Sequence, residues 1–293
     1  MQNITGKQQT AVSLGIFDGV HIGHRAVLSE AEKSGLETAV FTFSSETVTT
    51  KGSRGVIYPN DRKLKMLRSL GAKYILSPDF SSLCEMSAED FAKEVLASAL
   101  SAKEVYCGED FRFGKGAVAG VKELRLLCDK YDMKLKTLQP VMFDGAAVSS
   151  TRIKDALESG DIQAANAMLG EDFGYYERVI HGNELGRTLD FPTINQPIPP
   201  DTVLPKFGVY LTEIELDGRL YNGVSNVGVK PTVGKNKPLI ETHILGLDKT
   251  LYGEWVSVRL KRFIREEKRF ASLDELKAQV DLDIENAERN ALR

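Results

Sequence analysis

Two histidines three residues apart are the part of this sequence best suited to chemistry. His21 and His24 end the decapeptide G-I-F-D-G-V-H-I-G-H at residues 15–24, which overlaps the end of an apolar run. We expect residues 10–17 to form a buried parallel strand and a helix to run from Gly23 onward. At a strand-to-helix corner, free backbone N–H groups and the positive end of the helix dipole favour phosphate.

This corner predicts a phosphate site that needs no covalent intermediate. Gly19 and Gly23 would let phosphates approach the backbone closely. His21 and His24 can donate hydrogen bonds to non-bridging phosphate oxygens when protonated or in the right tautomer. The alternative is a pair of surface histidines at a helix start, which the preceding F-D-G makes the weaker interpretation. The P-loop pattern G-x-x-x-x-G-K-[ST] does not occur in the sequence.

Two further segments of the first half suit a nucleotide or a flat ring. The run S-S-T-R-I-K at residues 149–154 predicts a helix start, where hydroxyls cap and Arg152 can meet a triphosphate. The alternative is that these residues only cap the helix and do not bind a nucleotide. The run G-E-D-F-R-F-G-K-G at residues 108–116 has the aromatic and glycine content of a loop that covers a ring. The alternative there is a basic surface loop.

The second half offers hard oxygen ligands and a carboxylate. Thr193 and Asn195 follow Pro192 in what we expect to be a loop over residues 186–195, and they suit a cation such as magnesium held against nucleotide phosphates. An ordinary turn would also explain them. Glu241 and His243 point to one face of an expected strand, where the carboxylate can act as a general base. On an edge strand, a solvated Glu241 is the competing interpretation.

Length and charge limit the classes of protein. The chain has 293 residues and a formal net charge of −3, with a pI near 5.9, so we expect two domains and neither a nucleic-acid nor a membrane partner. Cys84, Cys107 and Cys128 have no C-x-x-C spacing, which favours reduced and mostly buried thiols over disulfides or zinc. The amino terminus is polar, so a cytoplasmic protein is expected. Nothing in the sequence indicates an oligomer.

Strand and helix patterns alternate through the first 140 residues, which predicts a doubly wound parallel sheet. Asn60 and Ser87 are expected to cap helices. The expected strands cover residues 38–43, 74–76 and 104–107, and the expected helices cover residues 60–69 and 88–99.

From about Tyr176 the pattern changes to strands with turn signals. Asp217-Gly218 between two alternating runs, residues 208–216 and 219–227, is a strong hairpin signal. Further strands are expected at residues 239–245 and 255–260, followed by a helix over residues 273–292 capped by Ser272. The second half is thus predicted to be a small antiparallel β-barrel with a terminal helix, and the domains to cover residues 1–172 and 173–293.

From about Ala11 to Ala291, the chain resembles the bifunctional bacterial riboflavin kinase/FMN adenylyltransferase (FAD synthetase) family. The first half resembles the family's G-x-F-D-G-V-H-x-G-H, G-x-D-F-R-F-G-K and S-S-T-R-I-R motifs. The second half resembles its G-R-x-L-G-F-P-T-A-N, G-V-x-N-x-G-x-x-P-T, E-x-H and L-Y-G motifs, the last two at residues 241–243 and 251–253. The resemblance implies that ATP phosphorylates riboflavin in the second domain and that FMN then attacks the α-phosphorus of another ATP in the first.

The resemblance also implies residue roles. Glu241 would take the proton from the riboflavin hydroxyl, and His21 and His24 would stabilise the adenylyl transition state. Thr193 and Asn195 would hold Mg²⁺ with ATP. The implied nucleotide-binding residues are Gly15, Phe17, Asp18, Gly19, Gly23, Ser150, Thr151, Arg152, Gly186, Arg187 and Thr188, and the implied flavin-binding residues are Asp110, Phe111, Phe113, Arg265 and Glu267.

The chain departs from the family pattern in three places. Asp190 replaces a glycine, Ser44-Ser45-Glu46 stands where many members have Pro-His-Pro, and an acidic residue often found near Val121 is missing. Two alternatives therefore stand beside the bifunctional enzyme. One is a member with a single activity, and the other is a flavin-binding regulator without catalysis.

Overall fold

The computed structural model describes residues 8–44, 54–182, 191–229 and 237–291. These residues divide into two compact units, one ending at Ser150 and the other beginning at Thr151.

The first unit is built on a sheet of five parallel strands. The strand order is β3-β2-β1-β4-β5, so the chain starts in the middle of the sheet and winds to both sides. This order confirms the predicted doubly wound sheet. The strands are β1 (Thr10–Leu14), β2 (Glu37–Phe41), β3 (Tyr74–Leu76), β4 (Ala102–Gly108) and β5 (Lys134–Leu138).

Helices connect these strands, and short 3₁₀ turns and a small hairpin complete the unit. All five residues of β1 are buried, as expected for a central strand covered on both faces. The helices are α1 (Ile22–Glu32), α2 (Asn60–Ser69), α3 (residues 88–99, α-helical over Ala88–Asp90 and π-helical over Phe91–Ala99) and α4 (Val121–Lys130). The 3₁₀ turns are Asp18–Val20, Phe80–Ser82 and Lys115–Ala117, and the hairpin pairs β6 (Met142–Phe143) with β7 (Ala146–Ala147).

Two expectations for this unit need correction. Strand β1 ends at Leu14, three residues early, because the backbone of Phe17 turns left-handed with φ 55°. Asn60 does not cap α2: Pro59 precedes the helix, and Asn60 is already its first residue. The predicted cap at Ser87 is confirmed, since its hydroxyl accepts a hydrogen bond from the Asp90 N–H at 3.1 Å.

The second unit begins with two helices and continues as a six-stranded antiparallel sheet. Its strand order is β8-β13-β10-β11-β12-β9. The helices are α5 (Ser150–Ser159, whose first residue belongs to the first unit) and α6 (Ile162–Leu169). The strands are β8 (Gly174–Arg178), β9 (Thr193–Pro197), β10 (Gly208–Leu216), β11 (Arg219–Val229), β12 (Pro238–Ile244) and β13 (Trp255–Arg265), followed by α7 (Leu273–Ala291).

The end strands of this sheet approach each other and nearly close a barrel. The Ile180 N–H donates to the Asn195 carbonyl at 2.8 Å. The fully buried Gln196 side chain donates to the Glu177 carbonyl at 2.6 Å and to the Val256 carbonyl at 2.8 Å, which ties β9 to β8 and β13. This confirms the predicted barrel.

The hairpin and terminal helix of the second unit also follow the predictions. Strands β10 and β11 pair from Gly208 to Leu216, and Asp217 and Gly218 have φ values of 50° and 73°, as a type I′ turn requires. The Ser272 hydroxyl accepts from the Glu275 N–H at 3.2 Å and caps α7. In the described parts of the chain, no helix has both the length and the apolar character needed to cross a bilayer.

Candidate functional sites

The corner after β1 is a strained turn that places both histidines. Phe17 and Val20 have left-handed backbones, with φ values of 55° and 44°, although neither is glycine. Such strain persists where the surroundings fix it, and it is concentrated at functional sites. His21 then caps α1, and its Nδ1 accepts from the His24 N–H at 3.4 Å. Since Nδ1 of His21 is an acceptor, its proton belongs on Nε2.

The two imidazole rings are packed face to face. The ring centroids of His21 and His24 lie 3.6 Å apart at an interplanar angle of 17°, and the Phe17 ring lies 4.9 Å from that of His24. Glycines make room for these rings: a Cβ at Gly23 would lie 3.1 Å from the His21 ring, and one at Gly15 would lie 3.1 Å from the Phe17 ring. Gly15 and Gly23 therefore allow the stack as well as an approach to the backbone.

Both imidazoles are neutral at pH 7. Burial lowers the pKa of His21 to about 4, against a smaller opposing effect of Asp18. Burial also holds the pKa of His24 well below its usual range, and the neighbouring His21 and Lys63 add to this effect. The Nδ1 atom of His24 is buried without a hydrogen-bond partner among the described residues. The corner thus offers ring N–H groups without a positive charge.

Asp18 and Ser150 hold the turn in place. The Asp18 carboxylate accepts from the Ile57 N–H at 2.7 Å, and its backbone carbonyl accepts from the Ser150 hydroxyl at 2.9 Å. The structure therefore brings Ser150 to the histidine corner, as the sequence predicts. Thr151 and Arg152 follow in the first turn of α5, exposed and half-buried respectively, and their role in binding nucleotide stays a prediction.

Lys63 is a residue near this corner that sequence reasoning missed. It is 2% exposed, and its Nζ donates to the Phe43 carbonyl at 2.5 Å and to the Thr42 hydroxyl at 3.4 Å. The available signal was the pattern of α2, because Lys63 lies four residues before the buried Leu67 and so on the apolar face of the helix. A charged lysine on the apolar face of a helix is unusual and suggests a role other than packing.

The loop after β4 combines packed and exposed residues. Phe113 is buried, stacks on Phe111 at 5.8 Å and pairs with Ala119, so it belongs to the core of the first unit. Asp110 is exposed, and its carboxylate lies over the α-carbon of Gly108, where a Cβ would be 2.7 Å away. The predicted flavin contacts of Asp110, Phe111 and Phe113 stay predictions, and Phe113 also has a packing role.

In the barrel, the register of the strands brings the predicted kinase residues together. Glu241 of β12 pairs with Asn195 of β9, and His243 pairs with Thr193. Paired residues share a face, with Cβ atoms about 5 Å apart. Their neighbours Ile194, Gln196 and Thr242 are buried on the other face. Two expectations are thereby corrected: Thr193 and Asn195 lie on a strand rather than in a loop, and β12 is not an edge strand, because it lies between β11 and β9.

Asn226 is a second residue missed from the sequence. It lies on β11 in register with Glu241, so Asn195, Glu241 and Asn226 form one row across three strands. Asn226 donates to a carboxylate oxygen of Glu267 at 3.1 Å, which brings this predicted flavin-binding residue beside the row. The motif G-V-x-N contained the signal, but only the register shows which residue Asn226 faces.

Close contacts fix the ends of this face. A Cβ at Gly182 would lie 2.5 Å from Nδ2 of Asn195, so the asparagine amide packs directly on the Gly182 backbone. The His243 ring makes a hydrogen bond of 2.9 Å with the Pro192 carbonyl. These contacts orient the oxygen donors of β9 without using charged ligands.

Arg265, predicted to contact flavin, has a structural partner. Its guanidinium donates to both carboxylate oxygens of Asp283 on α7, at 2.6 to 3.1 Å, and Asp283 is 2% exposed. Its flavin contact stays a prediction. The predicted nucleotide-binding residues Gly186, Arg187 and Thr188 lie outside the described residues, as do Asp190, Ser45 and Glu46.

An all-parallel sheet with this histidine corner has the architecture of nucleotidyltransferases, and here a six-stranded barrel follows it in the same chain. The model of the FAD synthetase family matches residues 3–152, and that of the riboflavin kinase family matches residues 169–291. The bifunctional riboflavin kinase/FMN adenylyltransferase of Escherichia coli K12 is 36% identical, over 93% of this chain and 90% of the relative. The chain therefore belongs to the bifunctional riboflavin kinase/FMN adenylyltransferase family.

Other relatives agree with this assignment over the full length. The Bacillus subtilis protein of the same description is 30% identical over 96% of this chain and 92% of its own. A crystal structure from Streptococcus pneumoniae, described as that of a macrolide-efflux protein, has a TM-score of 0.88 and 27% identity, and the alignment covers 98% of this chain and 97% of that one. The presence of both units in a single chain is thus shared with known proteins.

Proposed function

We propose that this chain is a bifunctional enzyme that converts riboflavin to FMN in the barrel and FMN to FAD in the parallel-sheet unit, using one ATP for each step. The observation that carries the proposal is that each unit contains one group of polar residues suited to phosphate chemistry: the row Asn195–Glu241–Asn226 on the barrel and the stacked histidine corner after β1. Family membership supports both halves.

In the kinase step, Glu241 accepts the proton of the terminal ribityl hydroxyl of riboflavin. The hydroxyl oxygen attacks the γ-phosphorus of ATP, the bond to the β-phosphate oxygen breaks, and FMN and ADP result. The chain contributes mainly position and one proton acceptor, as is usual for phosphoryl transfer. Asn226 lies beside Glu241 and its amide donates to Glu267. The row therefore restricts the orientation in which the ribityl hydroxyl can approach the Glu241 carboxylate.

Thr193 and Asn195 fit a magnesium ion bound together with ATP. Their oxygens are neutral donors on one face of β9, and Asn195 is oriented by its contact with Gly182. Magnesium commonly uses few protein ligands and keeps water and phosphate oxygens around it. When bound, the ion would neutralise charge on the transferred phosphoryl group.

In the adenylyl step, a phosphate oxygen of FMN attacks the α-phosphorus of ATP, and pyrophosphate leaves. His21 and His24 donate ring N–H groups to the oxygens on this phosphorus, where negative charge develops. Because both rings are neutral at pH 7, they act through geometry rather than through net charge. Ser150, Thr151 and Arg152 are proposed to hold the triphosphate and the leaving pyrophosphate.

The test is chromatography of flavins after incubation of the pure protein with magnesium, ATP and either riboflavin or FMN. The wild type should form FAD from both. His24→Ala should lower FAD formation by about 10²- to 10³-fold and leave FMN formation intact. Glu241→Gln should lower riboflavin phosphorylation by about 10²- to 10⁴-fold and leave FAD formation from added FMN intact.

Each variant is the control for the other, because each should retain the activity of the other unit. Loss of both activities in a folded variant would contradict two independent sites. A wild type that forms only FMN, or that uses only FMN, would be a member with a single activity, and one without product would be a binding protein. We further propose that the enzyme acts in the cytoplasm on small-molecule substrates, which cell fractionation can test.

A further inference from the structure

Lys63 is a buried cation beside the histidine corner, and the adenylyl chemistry described above does not use it. Its ammonium group is fixed at the carboxyl end of β2 by the Phe43 carbonyl and the Thr42 hydroxyl. Thr42 is itself fully buried and donates to the Ile16 carbonyl at 2.7 Å, next to the corner. A short chain of hydrogen bonds thus links Lys63 to the turn that carries His21.

The described surroundings of Lys63 contain less negative charge than a buried ammonium group normally requires. No carboxylate in the described part of the chain lies within ion-pair distance of Lys63. Burial lowers the pKa of Lys63 to about 8, and only the field of Asp18 opposes this effect. Buried charges in proteins are usually paired or serve a ligand. A buried lysine without a carboxylate partner among the described residues, at the carboxyl edge of a parallel sheet, therefore points to an anion that arrives from outside.

The ligands of the proposed adenylyl step bring such an anion. Two phosphate groups meet at the corner, one of FMN and one of ATP, and the stacked histidines add no positive charge at neutral pH. Neutral N–H donors do not offset this charge on their own. Lys63 is the buried lysine whose field reaches His24.

We propose that Lys63 is a phosphate-binding residue of the adenylyl site, whose ammonium charge holds a phosphate group against the neutral histidine pair. This inference rests on the proposed adenylyltransferase function. The ligand chemistry is a phosphate monoester or polyphosphate. It is supplied either by FMN or by ATP, and separate titrations of the two substrates distinguish them.

The inference predicts a specific pH dependence of FAD formation. Among the described residues, the titratable groups that face Lys63 are Asp18 on the turn after β1 and His24 on α1, while the segment directly after β2 contributes the uncharged Thr42 hydroxyl and Phe43 carbonyl. In the free enzyme, Lys63 loses its charge as the pH rises through about 8. The kcat/KM of FAD formation should therefore fall above that pH.

The experiment compares Lys63→Met with Lys65→Met in the full-length protein. Lys65 lies on the same helix, but its side chain is 71% exposed and it pairs at the surface with Asp61, so it is a matched control. Lys63→Met should lower kcat/KM for FAD formation by about 10²-fold and remove the decline above pH 8. The substrate whose KM rises is the one that Lys63 holds. Lys65→Met should stay within about twofold, and riboflavin phosphorylation by both variants should not change.

A second readout does not depend on activity. Without the neighbouring ammonium charge, the pKa of His24 should rise, which nuclear magnetic resonance titration of the histidine ring protons can measure. An unchanged pH profile in a folded and active Lys63→Met protein would overturn the inference. If Lys63→Met does not fold, a wild-type profile that stays flat from pH 7 to 9 would overturn it. A wild type that makes no FAD from FMN would instead refute the proposed function, and the Lys63 inference with it.

Discussion

At the scale of single residues, the unusual feature of the corner is that its two histidines are stacked and uncharged. Two imidazolium rings 3.6 Å apart would repel each other, whereas two neutral rings can pack against each other and against Phe17. Burial keeps both imidazoles neutral and so permits the stacking. The stacking then fixes the direction of each ring N–H. The same burial makes the stability of the corner depend on pH.

We predict that His21→Asn reduces the sensitivity of the protein to acid. The unfolded chain binds a proton at this histidine near pH 6.5, but the folded chain does so only near pH 4. In that window the unfolded state carries more protons, so stability falls as the pH is lowered from 6.5 towards 4. From pH 7 to pH 5, His21 accounts for a loss of about 2 kcal/mol. Urea unfolding of the wild type and of His21→Asn, followed by circular dichroism at both pH values, measures this loss of stability.

Asparagine suits this comparison because it caps helices well and does not titrate. His181→Asn, at an exposed position of the barrel unit, is the matched control. It should leave the acid sensitivity unchanged. An equal loss of stability in wild type and His21→Asn would show that His21 is not the group that must stay neutral.

The residues of the corner could be predicted from sequence because they are local. His21, His24 and the glycines lie within ten residues, and one strand-to-helix turn brings them together. Lys63 could not be placed in the same way. Its contacts with Thr42 and Phe43 and its proximity to His24 connect α2 with the segment after β2 and with α1, which only the folded sheet brings together.

At the scale of elements, strand register decides the composition of the barrel site. Asn195 and Glu241 are 46 positions apart in the sequence, and a shift of one residue in the pairing of β9 with β12 would turn Asn195 to the other face. Gln196 fixes this register, because its buried side-chain amide donates hydrogen bonds to backbone carbonyls of both β8 and β13. The sequence indicated oxygen ligands here but predicted a loop, since closure of the barrel is a long-range property.

The contact between α7 and β13 leads to a prediction about stability. Asp283→Ala should destabilise the barrel by about 3 kcal/mol, because it leaves the largely buried guanidinium of Arg265 without its carboxylate. Gln279, which also donates to Asp283 at 3.1 Å, loses its acceptor as well. Thermal or denaturant unfolding followed by the fluorescence of the single tryptophan, Trp255 on β13, measures the effect.

Glu266→Ala is the matched control for this element. Glu266 pairs with Lys206 at 2.9 Å, but its side chain is 72% exposed, so its removal should cost far less stability than the removal of Asp283. Equal losses in the two variants would mean that the Arg265–Asp283 pair contributes no more than a surface ion pair.

At the scale of the whole molecule, the alternation of strands and helices and the later run of hairpins predicted both fold classes. The boundary between the domains was harder to place. We predicted it after residue 172, within the short segment 169–174, and this boundary stays a prediction. Helix α6 precedes it but packs on the barrel: the Asn166 amide donates to the Leu260 carbonyl and accepts from the Phe173 N–H. Such packing cannot be read from local sequence.

The last prediction concerns where the barrel unit begins as an independent structure. A fragment of residues 151–293 should fold with a higher unfolding midpoint than a fragment of residues 173–293, because only the longer one keeps α6 and nearly all of α5. The buried α6 residues Ala165, Met168 and Leu169 cover apolar surface of the unit, and Asn166 satisfies backbone groups of Leu260 and Phe173. Circular dichroism during heating compares the two fragments.

Asn166→Ala in the longer fragment separates the polar contacts from the apolar ones. The substitution removes the bonds to Leu260, Phe173 and Asp172 but keeps the helix, so it should cost about 1 to 3 kcal/mol, less than deleting α6. Equal midpoints for the fragments beginning at 151 and at 173 would place the boundary after residue 172. A large difference would make the helical segment before residue 173 part of the barrel unit, because the barrel then depends on contacts that a cut after residue 172 removes.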